Sequence, residues 1–397
     1  MRFNYRLFYK NLLDALFAGE KEHQRLTAKR IKSLVVFAVI YIYEFFALRL
    51  FMILDDVFFP AYRREAVEKP TFIIGNFRSG TTLLQRLLAR DSLNFTALET
   101  WEIYLAPTIS QRKFFRGVLL AERLIGSPIK KAVNRVQEQV LDKIDFHRVG
   151  LREPEEDVGL LLYIWEGLFV WFFFPRSLST LPYPRFDQQA DPGRKRRVLS
   201  FYESMVKRHL YYHRTRRPHA PRRVFLSKNP AFSPMVASLT KRFPDARFVY
   251  MARHPVEMLP SEINWFAYCI DYFGSPTTRF PYVSEIAAMC RHWYEYPVEF
   301  LNALPPQRSF IARFDDVLAD LEGLVRRIYE QFGLELSDEF LSLVHAEVEH
   351  AKRFVPRAKR SLTEVGLERD EVLEMFRDVI DRFDLKLTEE RVDVADP

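Results

Sequence analysis

The chain has 397 residues but only two cysteines, Cys269 and Cys290. Two cysteines cannot form a disulfide framework, which favours a reducing, cytoplasmic location. Cys/His spacing of the zinc-binding type is absent, so no metal is expected. Internal repeats, low-complexity tracts and basic stripes with interleaved aromatic residues are also absent. Repeat architectures and nucleic-acid partners are therefore disfavoured.

Hydrophobic residues, in contrast, make up 48% of the chain and aromatic residues 15%. This composition supports a large core and argues against disorder. The formal net charge is +7, with the basic residues spread along the whole sequence. A distributed positive charge favours anionic ligands or a membrane surface as partners. The length suits one large α/β domain with additions, or two ordinary domains.

A long apolar run, SLVVFAVIYIYEFFALRLFMIL, occupies residues 33–54. About 20 apolar residues suffice to span a bilayer, but Glu44 and Arg49 interrupt the run at a cost of roughly 3 kcal/mol each. Three alternatives remain: a buried or interfacial helix, which we favour, an uncleaved membrane anchor, and a helix that docks on a partner. The N-terminal residues MRFNYRLFYK are not typical of a secretory signal. We expect a helical, membrane-associated segment at 1–60 and a single larger domain at 61–397.

Strand and helix patterns alternate along the larger domain. Apolar runs that end in polar loops predict strands within KPTFIIGN and within residues 222–230, 247–255 and 308–316. Helical patterns separate them, for example at 320–334. This alternation predicts an α/β fold of the P-loop type, in which helices flank a central parallel sheet. Ligands of such sheets bind beyond the carboxyl ends of the strands.

The sequence GNFRSGTT, residues 75–82, follows the first predicted strand and precedes a helical pattern. This context can present backbone N–H groups to a phosphate at the start of a helix. However, Thr81 stands where a nucleoside-triphosphatase loop has lysine, and the strong positive charge is Arg78, inside the loop. The loop alone leaves a phosphate site and a simple glycine turn equally open. Its candidate ligand-binding residues are Arg78, Ser79, Gly80, Thr81 and Thr82.

A second polar cluster follows the predicted strand RFVYMARHP, with Arg253 at the strand end and Ser261 further along. This segment resembles the 3′-phosphate-binding segment of the sulfotransferases, and GNFRSGTT resembles their 5′-phosphosulfate loop. The chain is most similar to the bacterial-type sulfotransferases, and LSKNPAF resembles the tyrosylprotein sulfotransferases. The resemblance implies 3′-phosphoadenosine 5′-phosphosulfate as the donor. It also implies that Arg78 contacts the phosphosulfate and that Arg253 and Ser261 hold the 3′-phosphate.

The resemblance also suggests residues that carry the chemistry. Glu99, in ETWE, is the first candidate for the general base, although Trp101 stands where the tyrosylprotein enzymes have arginine. His147 is the second candidate, and a structural pairing with a nearby carboxylate is its alternative role. Lys228 could stabilise the transferring sulfuryl group as a mobile charge. For the acidic residues Glu153, Glu155, Glu156 and Asp157 three alternatives remain: substrate binding, capping of the helix that follows, which we favour, and simple solvation. We interpret Arg194 to Arg197 as a solvated helix start.

The predicted function is sulfuryl transfer to a hydroxyl group of a small-molecule or lipid-like acceptor. The apolar N-terminal run and the WFFF segment suggest a hydrophobic acceptor. One alternative is a P-loop kinase, which Thr81 and the pair Arg253 and Ser261 disfavour. Another is a nucleotide-binding, non-enzymatic protein associated with a membrane surface. The oligomeric state stays open.

Overall fold

A five-stranded parallel sheet forms the centre of the molecule. The computed structural model describes residues 3–17, 25–136, 150–174, 182–273, 280–353 and 361–387. The strands lie in the order β2-β3-β1-β4-β5, and every pair is parallel. They are β1 (Thr71–Gly75), β2 (Phe95–Thr96), β3 (Val224–Lys228), β4 (Arg247–Ala252) and β5 (Ser309–Arg313).

The four predicted strands and the predicted fold class are confirmed. Sequence reasoning missed β2, because a strand of two residues leaves no periodic signal. At the centre of the sheet, Ile73 of β1 lies beside Lys228 of β3 and Val249 of β4. This register brings the polar residues that follow β1, β3 and β4 to one edge of the sheet.

Helices flank the sheet, as the alternating pattern predicts. The α-helices of the described residues are α1 (Tyr5–Leu16), α2 (Ala28–Phe58), α3 (Thr81–Leu88), α4 (Thr100–Tyr104), α5 (Ile109–Ala121), α6 (Pro128–Val136), α7 (Val170–Phe173), α8 (Phe186–Gln189), α9 (Pro192–Arg216), α10 (Val236–Arg242), α11 (Pro255–Tyr272), α12 (Val283–Asn302), α13 (Phe314–Ala319), α14 (Leu321–Phe332), α15 (Asp338–Arg353), α16 (Arg369–Met375) and α17 (Arg377–Phe383). Short 3₁₀ helices connect several of them, among them Pro60–Arg64 and Asp157–Ile164.

The two faces of the sheet pack against separate apolar cores. Phe72 and Ile74 of β1 belong to one buried cluster, and Ile73 between them belongs to the other. This alternation is the period of two that a strand imposes on its side chains. Both β1 and β4 are buried along their whole length, as expected for strands that helices cover on both faces.

The apolar run at 33–54 lies within α2, which packs on the rest of the molecule along one stripe only. Phe37, Tyr41, Phe45 and Leu48 contact the main core, whereas the opposite side is exposed. Only 6% of its most apolar window is buried, although α2 is long and apolar enough to cross a membrane. This exposure contradicts the buried form of the favoured alternative, while the interfacial form, the membrane anchor and the docking helix stay predictions.

The end of α2 is fixed to the sheet domain by a buried ion pair. Asp55 accepts hydrogen bonds from the first N–H groups of α5, at Ile109 and Ser110, and lies 2.9 Å from Arg208 Nε. A buried pair of this kind is strongly destabilised when one partner is removed. The domain boundary at residue 60 stays a prediction, because this ion pair and the shared core connect residues 1–60 to residues 61–397.

The aromatic segment at 165–175 is buried where described, as expected, with Trp165 and Trp171 almost fully enclosed. The charge run Arg194–Arg197 does begin a helix, α9, but it is not simply solvated. Arg194 and Arg197 both pair with the carboxylate of Glu166, which is completely buried. A buried carboxylate requires such partners, and this requirement explains why the interpretation as a solvated run was incomplete.

Candidate active site

The loop GNFRSGTT connects β1 to α3 and needs glycine at both ends. Gly75 has φ +143°, and a Cβ atom there would lie 2.4 Å from the carbonyl oxygen of Met251 on β4. Gly80 has φ +86°, and its Cβ would lie 2.5 Å from the ring of Phe314. Neither position can accept a side chain without displacing its neighbours. The loop is thereby held tightly between β4 and the start of α13.

Arg78 adopts the left-handed conformation, with φ +63°, in the middle of this loop. Non-glycine residues rarely adopt it, and it often occurs at functional sites. Its Nε donates a hydrogen bond to Ser261 Oγ at 3.0 Å. Desolvation lowers the pKa of Arg78 although its tip stays accessible to solvent, and the nearby carboxylates of Glu262 and Glu156 oppose that shift.

Arg253 joins the second sequence cluster directly to the loop. Its Nη1 donates to the carbonyl oxygen of Arg78 at 2.8 Å, and Nη2 lies 3.2 Å from Glu257. Its guanidinium lies 4.3 Å from the ring centroid of Phe314, in a cation–π contact. The structure therefore brings Arg78, Arg253 and Ser261 together at the carboxyl ends of β1 and β4.

The start of α3 is suited to an anion. The first N–H groups of a helix have no partner within the helix, and they lie at its positive end. Ser79 and Thr81 are buried there, Thr82 is half-buried, and Ser79 Oγ has no hydrogen-bond partner among the described residues. A buried hydroxyl without a partner costs free energy, which an anion at the loop would recover. The start of α3 thus offers a site for an anion.

The acid-rich segment that contains Glu153 runs alongside the segment that contains Glu99. Glu99 and Pro154 form an isolated antiparallel bridge, and Glu155 N donates to Leu98 O at 3.1 Å. Thr100 N donates to Glu153 O at 3.0 Å. These main-chain bonds fix the position of Glu99 relative to residues that follow it by more than fifty positions.

Glu99 is half-buried and stands at the N-cap of α4. Its carboxylate accepts a 2.6 Å hydrogen bond from Trp101 Nε1. Burial raises the pKa of Glu99 and the charge of Glu102 raises it further, while the bond from Trp101 opposes the shift. Trp101, which departs from the tyrosylprotein pattern, is therefore a partner of Glu99. The alternative role of Glu99, as a carboxylate at a helix start, has structural support. This role is compatible with the predicted role as general base.

Lys228 lies at the end of β3, only 1% exposed, with Nζ 2.7 Å from Glu156 Oε1. It is held by an ion pair and is not the mobile charge that we expected. The next acid, Asp157, accepts hydrogen bonds from Ser227 and Tyr202, and burial raises its pKa to about 6. Glu156 does stand at the N-cap position of the 3₁₀ helix Asp157–Ile164, with Asp157 in its first turn, but the Glu156 side chain makes no capping hydrogen bond. The side chains of Glu156 and Asp157 fix the end of β3 instead.

One cluster of potential metal ligands occurs in the described part of the chain. Ligand atoms of Glu102, His209 and His213 lie within 4.8 Å of one another. Arg112 Nη1 already lies 3.1 Å from Glu102 Oε1 and 3.2 Å from His209 Nδ1. This guanidinium neutralises the carboxylate that a cation would need. Burial, together with His213 and Arg112, also lowers the pKa of His209 to about 3 against the opposing effect of Glu102, so its ring is neutral. We interpret the cluster as a support for α4, which carries Glu99 at its start.

Sequence reasoning missed Glu262 and Phe314. Glu262 is fully buried on α11, Cys290 lies against it, and burial raises its pKa to about 8. Its position one residue after Ser261 was the available signal. Phe314 directly follows β5, so the strand-end rule could have found it. His147 lies outside the described residues, and its role as an alternative base stays a prediction.

Comparisons with known proteins relate the chain to sulfotransferases. Residues 176–338 match a model described as "Sulfotransferase family". The match includes Lys228, Arg253 and Ser261 but not the loop at 75–82. The chain is 26% identical over 275 residues to omega-hydroxy-beta-dihydromenaquinone-9 sulfotransferase Stf3 of Mycobacterium bovis and of Mycobacterium tuberculosis. The alignment covers 67% of this chain and 63% of those proteins.

Two solved structures share the fold over nearly the whole chain. Sulfotransferase STF9 from Mycobacterium avium superposes with a TM-score of 0.69 at 18% identity, covering 98% of both chains. Sulfotransferase STF1 from Mycobacterium tuberculosis H37Rv superposes with a TM-score of 0.70 at 20% identity, covering 94% of this chain and 92% of that one. Residues 176–338 thus resemble the sulfotransferase family, and the chain as a whole shares the fold of these two sulfotransferases.

Proposed function

We propose that this protein transfers a sulfuryl group from 3′-phosphoadenosine 5′-phosphosulfate to a hydroxyl group of an apolar acceptor. The observation that carries the proposal is the contact between the two phosphate-binding segments. Arg78 Nε lies 3.0 Å from Ser261 Oγ, and Arg253 Nη1 lies 2.8 Å from Arg78 O. One nucleotide with phosphate groups on both the 3′ and the 5′ positions of its ribose would satisfy both segments.

In this proposal different residues bind the 5′ and the 3′ groups of the donor. The N–H groups at the start of α3, together with Ser79, Thr81 and Thr82, bind the 5′-phosphosulfate. Arg78 offers a planar fork for its oxygens. Arg253 and Ser261 bind the 3′-phosphate, the group that ATP lacks. We further propose that no metal ion takes part, so that a chelator leaves the rate of transfer unchanged.

The acceptor hydroxyl must lose its proton as its oxygen attacks the sulfur. We propose that Glu99 accepts that proton, because its raised pKa makes it a stronger base than an ordinary carboxylate. The sulfur–oxygen bond to the acceptor forms as the bond to the 5′-phosphate breaks. Lys228 lies at the end of β3 and is held by Glu156 at 2.7 Å. In this proposal it stabilises the negative charge on the oxygens of the transferring sulfuryl group.

The chain spans about 63% of the length of the curated relatives that it matches, so the acceptor of those proteins is only a guide. Their name places the sulfuryl group on a hydroxylated menaquinone, a lipid-like molecule. We propose an acceptor of the same chemical class: a hydroxyl group on a long apolar body. The large apolar side chains exposed on α2 support this choice.

Calorimetry with adenosine 3′,5′-bisphosphate and with ATP tests the donor. We expect the bisphosphate to bind more tightly, and Arg253→Ala to reduce its affinity without reducing that for ATP. Tighter binding of ATP would favour the kinase alternative. Binding of neither nucleotide would favour a non-enzymatic protein. A screen of hydroxylated lipids with sulfur-labelled donor then identifies the acceptor class, and transfer to polar acceptors alone would refute the lipid-like assignment.

A further inference from the structure

The N-terminal helices expose large apolar side chains in an unusual concentration. Among the described residues after Val133, the large apolar side chains that are exposed are Tyr268, Tyr272, Ile311 and Leu318. Before that point they are concentrated on α1, α2, α5, α6 and the turn that joins α5 to α6. We call this the outer apolar surface; its most exposed members are Phe17, Val39, Ile40, Tyr43, Phe46, Ile53, Val57, Phe58, Leu124 and Ile125.

These helices form one continuous surface. Arg49 Nη2 of α2 lies 3.4 Å from the hydroxyl of Tyr5 on α1, and the rings of Phe51 and Phe114 lie 6.2 Å apart between α2 and α5. Contiguous apolar patches of this kind mark sites of interaction with proteins or membranes. The question is which partner this surface fits.

The charges on α5 and α6 favour an anionic surface. Between Ile109 and Val136 the single acidic residue is Glu122, which is buried and accepts hydrogen bonds from the N–H groups of Ile129 and Lys130. The exposed charged side chains there are all basic: Lys113, Arg116, Arg123, Lys130, Lys131 and Arg135. They alternate with exposed apolar residues, and Leu124 and Ile125 at the turn between the helices are 90% and 75% exposed. Basic helices with apolar residues between the charges are typical of proteins that lie on anionic lipid.

The orientation of α2 excludes a simple span across the bilayer. A stripe from Phe37 to Met52 packs on the main core, and Asp55 is fixed by Arg208. Glu44 and Arg49, the charges that interrupt the apolar run, are half-buried rather than on the most exposed side. A helix bound to its own domain along its length can present only its outer side to lipid.

We propose that the outer apolar surface docks the protein on one leaflet of an anionic phospholipid bilayer, with α2 parallel to the membrane plane. The apolar side chains of α1 and α2 enter the boundary of the acyl chains. The turn at Leu124 and Ile125 enters beside them, and the basic residues of α5 and α6 contact the phosphates. The proposal does not depend on the proposed reaction, because docking needs neither donor nor acceptor.

Co-sedimentation of the full-length chain with vesicles tests the proposal. We expect binding to vesicles of phosphatidylcholine mixed with phosphatidylglycerol, and weaker binding to phosphatidylcholine alone. Changing Lys130 and Lys131 together to glutamine should lower the partition coefficient by about 25-fold, since each basic residue contributes about fivefold at an anionic surface. Leu124→Asp with Ile125→Asp should lower it by at least about 100-fold.

Leu318→Asp is the matched control, because Leu318 is 51% exposed but lies on α13, outside this surface. An equal loss of binding in that variant would overturn the proposal. The proposal would also be overturned if the chain bound neither vesicle type and light scattering showed a dimer, since a second copy would then cover the surface. We expect alkaline carbonate to release the bound protein; resistance to carbonate would show a span instead of surface docking.

Discussion

Two regions of this molecule reverse the usual distribution of polar and apolar residues, and they do so in opposite directions. At the carboxyl ends of β1 and β3 and along α11, polar and charged side chains are buried, among them Ser79, Lys228 and Glu262. On α2, large apolar side chains such as Val39 and Phe46 are exposed. Proteins bury charged groups only with partners, and they rarely expose large contiguous apolar patches without a binding role.

The two regions also differ in how the free-energy cost of burying polar groups, or of exposing apolar ones, is offset. Two of the buried charged groups are compensated within the chain, because Lys228 pairs with Glu156 and burial keeps a proton on Glu262. The exposed apolar side chains of α2 have no such compensation on their outer side. Changes at the strand ends should therefore affect catalysis and pH dependence, and changes on the outer side of α2 should leave the isolated fold almost unaffected.

The largest effect is expected for Arg78→Ala. Loss of the guanidinium removes the charge that the loop offers to the donor, and kcat/KM should fall by about 10³-fold or more. The thermal midpoint should change little, because Arg78 lies on an accessible loop. Steady-state kinetics with labelled donor measures the effect. Arg326→Ala, at an exposed arginine on α14, is the control and should keep full activity; unchanged activity in Arg78→Ala would remove this residue from the mechanism.

The next effect is expected for Glu99→Gln, which keeps an acceptor for Trp101 Nε1 but cannot take a proton. The rate of transfer should fall by about 10²-fold. The rate of the wild-type chain should decline as the pH falls below the raised pKa of Glu99, because protonation abolishes the base. The variant should lack this decline.

The comparison with His147→Gln decides between the two candidate bases. If Glu99 is the base, His147→Gln should retain most of the activity and the acidic limb of the pH profile. The reverse pattern would assign the proton transfer to His147.

The sequence predicted the parts of the site that strand ends determine. Arg78 and Gly80 were predicted from the loop motif GNFRSGTT and Arg253 from its place after an apolar strand pattern, and parallel strands bring such ends together. The alignment of Glu99 with Pro154 was not predictable, because it rests on main-chain bonds between segments that are distant in sequence. The pairing of Lys228 with Glu156 was missed for the same reason.

The exposure of α2 was also beyond the sequence. A core helix and an interfacial helix have the same length and composition, and only the tertiary contacts separate them. The buried carboxylate of Glu262 was hidden in an ordinary helical pattern. Its raised pKa depends on the residues that enclose it, such as Cys290, rather than on its neighbours in the chain.

A smaller effect is expected for Glu262→Gln, and it depends on pH. The folded state raises the pKa of Glu262 from 4.5 to about 8, so the folded chain holds a proton that the unfolded chain releases. The free energy of unfolding should therefore fall as the pH rises from 4.5 to 8. Glutamine mimics the protonated acid, and the variant should be more stable than the wild type above pH 8.

Urea denaturation at several pH values measures this difference, with Glu285→Gln at an exposed carboxylate as the control. We expect the two curves for Glu262→Gln and wild type to converge below pH 4.5. A constant difference at all pH values would show that packing, and not the proton, distinguishes the two chains.

The smallest effect is expected on the outer side of α2, and it provides the sharpest test of the comparison. Val39 is 64% exposed and Leu48, on the same helix, is fully buried. In detergent-free buffer Val39→Ala should change the free energy of unfolding by less than about 0.5 kcal/mol, whereas Leu48→Ala should lower it by about 2–5 kcal/mol. Denaturation of both variants measures this difference. Equal losses of unfolding free energy in the two variants would mean that the side of α2 containing Val39 is covered in the isolated protein. The contrast between the compensated site at the strand ends and the uncovered apolar surface of α2 would then be wrong.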